Sequence, residues 1–238
     1  MGGGEGMTGT LYGLGLGPGD PELLTLKAVR LLGAVPVIAY LAPDDGDSLA
    51  RSIAAPHLAQ NHDEISIAMP MRADPTPGRA AYDIGADAIA THLQAGRDVA
   101  FLCEGDPFLY GSFMYLFQRL VGRFEVVTVP GVSSLGAAAA QAGMPLVSRN
   151  ETLAVVPATL DETTLIRRLA DADAVCVLKG GRQLDKVRRV LTATGLADNA
   201  QVVVRATFED GHVVPLAEAG DTTPYFSLVL ARRDKEIP

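Results

Sequence analysis

The sequence predicts an α/β protein of two domains, a mostly parallel sheet followed by a mixed sheet. Three observations carry this expectation. In the first half, short and nearly continuous apolar runs alternate with segments whose apolar residues recur at helical spacing, the pattern of a parallel sheet covered on both faces. After Gly143-Met144-Pro145-Leu146 the pattern changes, and two β-rich runs flank Glu209-Asp210-Gly211 as a hairpin does. Near the start, Gly13, Gly15, Gly17 and Gly19 stand between a short apolar run and a helical pattern. They mark a strand–loop–helix turn where backbone can approach a ligand without Cβ interference.

In chain order, the first half predicts strands at 10–16, 35–40, 64–68, 99–103 and 125–129. Helices are expected at 21–32, 48–58, 78–95, 109–121 and 133–142. The last of these has Ser133-Ser134 as its N-cap signal and Gly143 as its C-terminal stop. The second half predicts strands at 152–156, 174–179, 201–207, 212–216 and 225–232, with helices at 162–170 and 184–194. Domains are expected at 8–146 and 147–238, with the ligand site at strand ends and in a cleft between them.

Composition narrows the function. The chain has 238 residues, 48% of them hydrophobic, enough for a substantial core. Net charge is −8 and there is no Lys/Arg-rich run, which argues against nucleic acid. No apolar stretch reaches membrane-spanning length. The glycine-rich lead, residues 1–9, lacks the features of a signal peptide, and a cytoplasmic protein is expected. Cys103 and Cys176 lie in apolar runs and read as buried small hydrophobes. The four histidines show no metal-ligand spacing, so no metal site is expected.

The glycine loop excludes two common ligand motifs. A dinucleotide fingerprint needs a sixth-position glycine; counted from Gly13 that slot is Pro18, and from Gly15 it is Asp20. A phosphate loop ends in Gly-Lys-Ser/Thr, whereas this one ends Gly19-Asp20-Pro21. The residues alone leave two readings, a structural turn capped by Asp20 or a ligand cradle.

Four ordered motifs resemble the tetrapyrrole methylases, which use S-adenosylmethionine. They are Gly15-Leu16-Gly17-Pro18-Gly19-Asp20-Pro21, Glu104-Gly105-Asp106-Pro107-Phe108-Leu109-Tyr110-Gly111, Val129-Pro130-Gly131-Val132-Ser133-Ser134 and Leu178-Lys179-Gly180-Gly181-Arg182. Three details resemble the family's C20-methylating branch: Gly9-Thr10-Leu11-Tyr12-Gly13, Gly105-Asp106-Pro107-Phe108 followed by Tyr110-Gly111-Ser112-Phe113, and Pro224-Tyr225-Phe226-Ser227-Leu228-Val229. A methionine common in the family at the second-domain strand end is absent from Leu178-Lys179-Gly180.

The resemblance implies methylation of the C20 meso carbon of precorrin-2 or of its cobalt complex, in cobalamin biosynthesis. S-adenosylmethionine would be the donor and S-adenosylhomocysteine the product. Another corrin position, and a non-catalytic nucleotide-binding module, are the competing readings. The implied cofactor residues are Pro18, Glu104, Gly105, Asp106, Leu109, Tyr110, Ser133, Ser134, Lys179, Arg205, Ala206 and Thr207. Asp106 is the catalytic candidate. Arg149, Arg182 and Arg205, with Lys179, are candidates for meeting the substrate's carboxylates, since an arginine fork binds a carboxylate bidentately. A homodimer is implied, with the apolar stretch 113–117 as a candidate interface.

Overall fold

The computed structural model describes residues 7–43, 46–70 and 76–233; the expectation for the first six residues lies outside these. The contacts divide the chain into two compact units, Met1–Ser133 and Ser134–Pro238. The division falls ahead of the helix that begins at Ser134, about a dozen residues before the expected 146/147 boundary. That helix buries Ala138 against Cys176, Val203, Leu228 and Leu230, which places it with the second sheet.

The first unit contains five strands, β1 (Thr10–Gly15), β2 (Val37–Pro43), β3 (Asp63–Met69), β4 (Val99–Cys103) and β5 (Glu125–Val129). They form one all-parallel sheet in the order β3-β2-β4-β1-β5. The helices are α1 (Leu26–Leu32), α2 (Leu49–Ala54), α3 (Thr76–Gln94) and α4 (Phe113–Leu120). Leu14, Ile38, Ala100 and Leu102 pack with α1 and α2 on one face. Leu11, Val37, Val99 and Phe101 pack with α3 and α4 on the other. Every residue of β4 is buried, as expected of a central parallel strand.

Two expected helices are shorter than their apolar patterns. The 21–32 segment divides into a 3₁₀ turn, Pro21–Leu23, and α1, because Leu24 is extended and the Thr25 hydroxyl accepts the Ala28 N–H to start a new helix. Of 109–121 only Phe113–Leu120 is helical, since Tyr110 adopts φ 56°, outside helical geometry. Phe113 and Leu116 are fully buried, so the apolar stretch offered as a dimer face is largely core; Tyr115 stays 47% exposed.

An ion cluster covers one edge of this sheet. Glu64 of β3 accepts from the Tyr40 hydroxyl (2.7 Å) and from Arg51 Nη2 (3.0 Å), and its Oε1 lies 2.9 Å from His62 Nε2. The Arg51 hydrogen bond above all holds the Glu64 carboxyl down at about 2, against the cost of partial burial. A depressed carboxylate stabilises the fold above its unfolded pKa and loses that contribution as pH falls towards the folded value. Glu64→Gln is therefore expected to lower the melting temperature at neutral pH. The difference from wild type should close between pH 4.5 and 2, as read by thermal melts across that range.

The second unit begins with α5 (Ser134–Gln141). It continues with β6 (Leu153–Pro157), α6 (Glu162–Leu169), β7 (Ala174–Leu178), α7 (Leu184–Ala193), β8 (Gln201–Val204), β9 (His212–Pro215) and β10 (Ser227–Arg232). The sheet order is β6-β7-β10-β8-β9; β6 and β7 are parallel and the remaining pairs antiparallel. The 201–207 strand ends early, at Val204, because Arg205 (φ 47°) and Thr207 (φ 70°) turn into the left-handed region. Arg233 donates to Ala172, to Thr194 at the end of α7 and to Leu169 at the end of α6, so one guanidinium serves two helix C-termini. Both cysteines are buried, and burial pushes the Cys176 thiol up to about 12. No helix among the described residues is long and apolar enough to cross a membrane.

Candidate functional site

Three loops leave the carboxyl ends of neighbouring strands β4, β1 and β5 and are joined through backbone. Gly17 and Gly105 exchange hydrogen bonds, Gly105 N–H to Gly17 carbonyl at 2.7 Å and the reverse at 3.3 Å. Leu16 N–H donates to the Cys103 carbonyl at 2.9 Å. Gly131, after β5, sits so close to Gly15 and Gly105 that a Cβ there would run into the Gly105 carbonyl and lie 2.8 Å from Gly15 Cα. The motif glycines thus serve loop against loop. By contrast Gly105 (φ 65°) has no atom within 4 Å of its Cβ position, which leaves a backbone face free for a ligand.

Asp106 fixes this arrangement. Its Oδ1 accepts the Phe108 N–H at 2.9 Å, and its Oδ2 accepts the Gly131 N–H at 3.1 Å, twenty-five residues away. Both oxygens of the expected catalytic carboxylate therefore bind backbone and tie the β4 loop to the β5 loop. Removing such a charge-assisted pair costs about 1.5–3 kcal/mol per bond. Asp106→Ala is expected to lose more stability than Asp106→Asn, which keeps one acceptor; denaturant titrations of the two variants measure the difference. Asp20 caps the 3₁₀ turn through the Glu22 N–H (2.8 Å), the structural half of the glycine-loop reading.

Glu104, at the end of the central strand, is half-buried. Burial pushes its carboxyl above the usual range, while the N–H of Ala50 pulls the other way. Pro18 and Ser133 lie half-buried in the flanking loops, and Phe108, Leu109 and Tyr110 are 49%, 42% and 44% exposed. Phe108 is backed by Phe113 and Phe117, with ring centroids at 6.0 and 5.1 Å.

In the second unit, the ends of β7 and β8 and the start of β10 lie side by side. Arg205 N–H donates to the Phe226 carbonyl at 2.7 Å, and Thr223 N–H to the Gly181 carbonyl at 2.9 Å. Lys179 and Arg182 are exposed; Ala206 is buried beneath its loop. Arg205 is engaged within the loop: its Nε donates to Asp210 at 2.8 Å and its guanidinium covers the Phe208 ring at 4.3 Å. Arg149 is exposed on the segment before β6, and Ser134 begins α5.

Among the described residues the left-handed non-glycines are Tyr110, Arg149, Lys179, Arg205 and Thr207. Each is among the cofactor or substrate candidates that the resemblance implies. Strained backbone of this kind gathers at ligand sites, where the surroundings hold it in place. The sequence pattern did not reveal Gln141, whose side-chain Oε1 accepts the Thr207 N–H at 3.0 Å. A glutamine at the end of a helix carries no periodic signal.

A parallel sheet with glycine-joined loops at its carboxyl edge, followed by a mixed sheet with left-handed strand ends, defines a class. Residues 10–220 match the tetrapyrrole (corrin/porphyrin) methylases, and the chain belongs to that family. It is 42% identical to the precorrin-2 C(20)-methyltransferase of a Sinorhizobium species, over 97% of this chain and 98% of that protein. It is 47% identical to the cobalamin biosynthesis protein CobIJ of Mycobacterium tuberculosis, over 93% of this chain and 46% of that protein. The chain thus spans about half the length of that relative. Uroporphyrin-III C-methyl transferase from Thermus thermophilus, solved with S-adenyl homocysteine, superposes with TM-score 0.69 and 27% identity, covering 94% of this chain and 97% of that one. A cobalt precorrin-4 methyltransferase shares the fold, with TM-score 0.74 at 23% identity.

Proposed function

We propose that this chain transfers a methyl group from S-adenosylmethionine to C20 of precorrin-2, giving precorrin-3A in cobalamin biosynthesis. The observation that carries the reading is the 42% identity to a precorrin-2 C(20)-methyltransferase along nearly the whole of both chains. The cobalt complex is a second substrate reading, favoured by 32% identity over 97% of the chain to a cobalt-precorrin-2 C(20)-methyltransferase of Salmonella typhimurium. The higher identity favours the metal-free substrate.

The donor set suits the cofactor. The open backbone of Gly105 offers hydrogen-bonding groups without side-chain interference, and Ser133 and Ser134 add hydroxyls. Glu104 is the carboxyl for a cationic end. The loops hold no phosphate-loop lysine. Pro18, Glu104–Asp106, Leu109, Tyr110, Ser133 and Ser134 would hold the cofactor together with Lys179 and Arg205–Thr207. When bound, S-adenosylmethionine supplies an activated methyl group.

The chain's own contribution is alignment, which by itself removes a large part of the barrier of a bimolecular reaction. Asp106 keeps two loops in register rather than reacting. Arg149, Lys179 and Arg182 are exposed cations that would meet the substrate's carboxylates, against a net charge of −8 that gives no general attraction. Arg205, being bound to Asp210, acts through its loop. The active species is proposed to be a homodimer.

Isothermal titration with S-adenosylhomocysteine tests the cofactor reading. Binding with one site per chain is expected, and Lys179→Ala should weaken it while leaving the melting temperature near that of wild type. No heat of binding at millimolar ligand would overturn the reading.

A further inference from the structure

Thr207 holds a backbone conformation, φ 70°, that a β-branched residue seldom adopts. The loop around it is closely tied. Phe208 N–H donates to the Arg205 carbonyl at 3.0 Å, and Gly211 N–H to the Phe208 carbonyl at 2.9 Å. Arg205 is fastened to Asp210 and to the Phe226 carbonyl. These bonds hold the loop to itself and to β10. The bond to the Thr207 amide comes instead from Gln141, sixty-six residues earlier. Gln141 also reaches the other end of the loop, for a Cβ at Gly211 would lie 3.2 Å from its Nε2.

The helix that carries this side chain is anchored at its buried face and at its end. Ala137 and Ala138 of α5 are buried, and the helix closes on Gly143 (φ 59°) with Met144 N–H donating to the Ala139 carbonyl at 3.0 Å. Gln141 itself is exposed, so its identity is not demanded by the core. A long polar side chain at an exposed helix end ordinarily stays in water, because fixing it costs rotamer entropy. Here it is aimed at a strained amide.

We propose that Gln141 is a positioning residue that presets the Arg205–Thr207 backbone for the cofactor. The proposal rests on the reading of that loop as a cofactor-binding segment. A buried or strained backbone persists only where its surroundings over-determine it. Gln141 supplies that constraint from α5, so the loop meets its ligand already ordered and loses less entropy on binding.

The test uses the full chain and S-adenosylhomocysteine in isothermal titration, with Gln141→Ala and Gln141→Glu beside wild type. Gln141→Ala is expected to weaken binding about fivefold, the value of one neutral hydrogen bond. Gln141→Glu keeps an acceptor for the Thr207 N–H and should retain most of the affinity. In turnover, Gln141→Ala should raise KM for S-adenosylmethionine and leave kcat and the tetrapyrrole KM unchanged. Thermal melts should place both variants within a few degrees of wild type, as suits an exposed residue. Equal binding by Gln141→Ala and wild type would overturn the positioning role alone, as would parallel loss in both variants. A wild type that fails to bind S-adenosylhomocysteine would overturn the cofactor reading and this proposal with it.

Discussion

Gly131→Ala is expected to weaken S-adenosylhomocysteine binding by more than tenfold and to cost about 1–3 kcal/mol of stability, the range for forcing atoms into a packed site. The atoms in the way are the Gly105 carbonyl and the backbone of Gly15. Backbone cannot rotate aside as the end of a side chain can. The methyl group would have to separate the β5 loop from the β1 and β4 loops. It would stretch the Asp106–Gly131 hydrogen bond and the Gly17–Gly105 pair with it. Gly136→Ala is the matched control. Gly136 lies within α5, and a Cβ there meets nothing within 4 Å. That change should raise stability by about 0.5–1 kcal/mol through helix propensity. Denaturant melts and titration calorimetry on the two variants separate loop disruption from a general intolerance of alanine. Unchanged cofactor affinity in Gly131→Ala would show that the loop junction does not shape the site.

The second large effect belongs to Arg232, at the end of β10. Its side chain is almost wholly buried. It donates to the carbonyls of Pro145 (3.1 Å) and Leu146 (2.8 Å) and to Glu151 Oε1 (2.6 Å). Glu151 in turn accepts the Ser148 N–H at 2.6 Å, a bond that, with Arg232, holds its carboxyl below the usual range. One guanidinium therefore ties the segment leading into β6 to the middle of the second sheet. Arg232→Ala leaves a carboxylate and two carbonyls facing a void. Removing one partner of a buried pair costs about 3–5 kcal/mol, a large part of a domain's stability. The urea midpoint should fall sharply with the slope unchanged. A loss under about 1 kcal/mol would mean that water replaces the guanidinium and that the segment is not held by it.

Much of the fold was legible because its signals are local. Five apolar runs in the first half become the five parallel strands, and the change of pattern after Leu146 becomes a mixed sheet with a β8–β9 hairpin. The errors lie where a few atoms override periodicity. The Thr25 hydroxyl restarts α1, Tyr110 delays α4, and the left-handed Arg205 ends β8. The contacts part the chain ahead of α5, which reads in sequence as a fifth covering helix of the first half, because its alanines pack on the second sheet.

For the candidate site, the motifs drew attention to the loops but not to their connections. Residue types cannot show that both Asp106 oxygens accept backbone N–H groups, or that Gly15, Gly105 and Gly131 meet at one junction. Arg205 reads as a free cation in sequence and is bound to Asp210 in the fold. Gln141 gave no signal because its bond spans 66 residues. Long-range pairings of this kind carry no spacing to read.

The central claim is methyl transfer to C20, and one measurement addresses it directly. The full chain is incubated with S-adenosylmethionine and with precorrin-2 carrying deuterium at C20, and the tetrapyrrole product is weighed. Substitution at C20 forms one carbon–carbon bond and breaks two others, the sulfur–methyl bond of the donor, which leaves as S-adenosylhomocysteine, and the carbon–deuterium bond, whose deuteron passes to solvent, so the expected product has gained one methyl group and lost the deuterium. A product that gains a methyl group yet retains the deuterium, or a substrate recovered unchanged beside intact S-adenosylmethionine, would contradict the account.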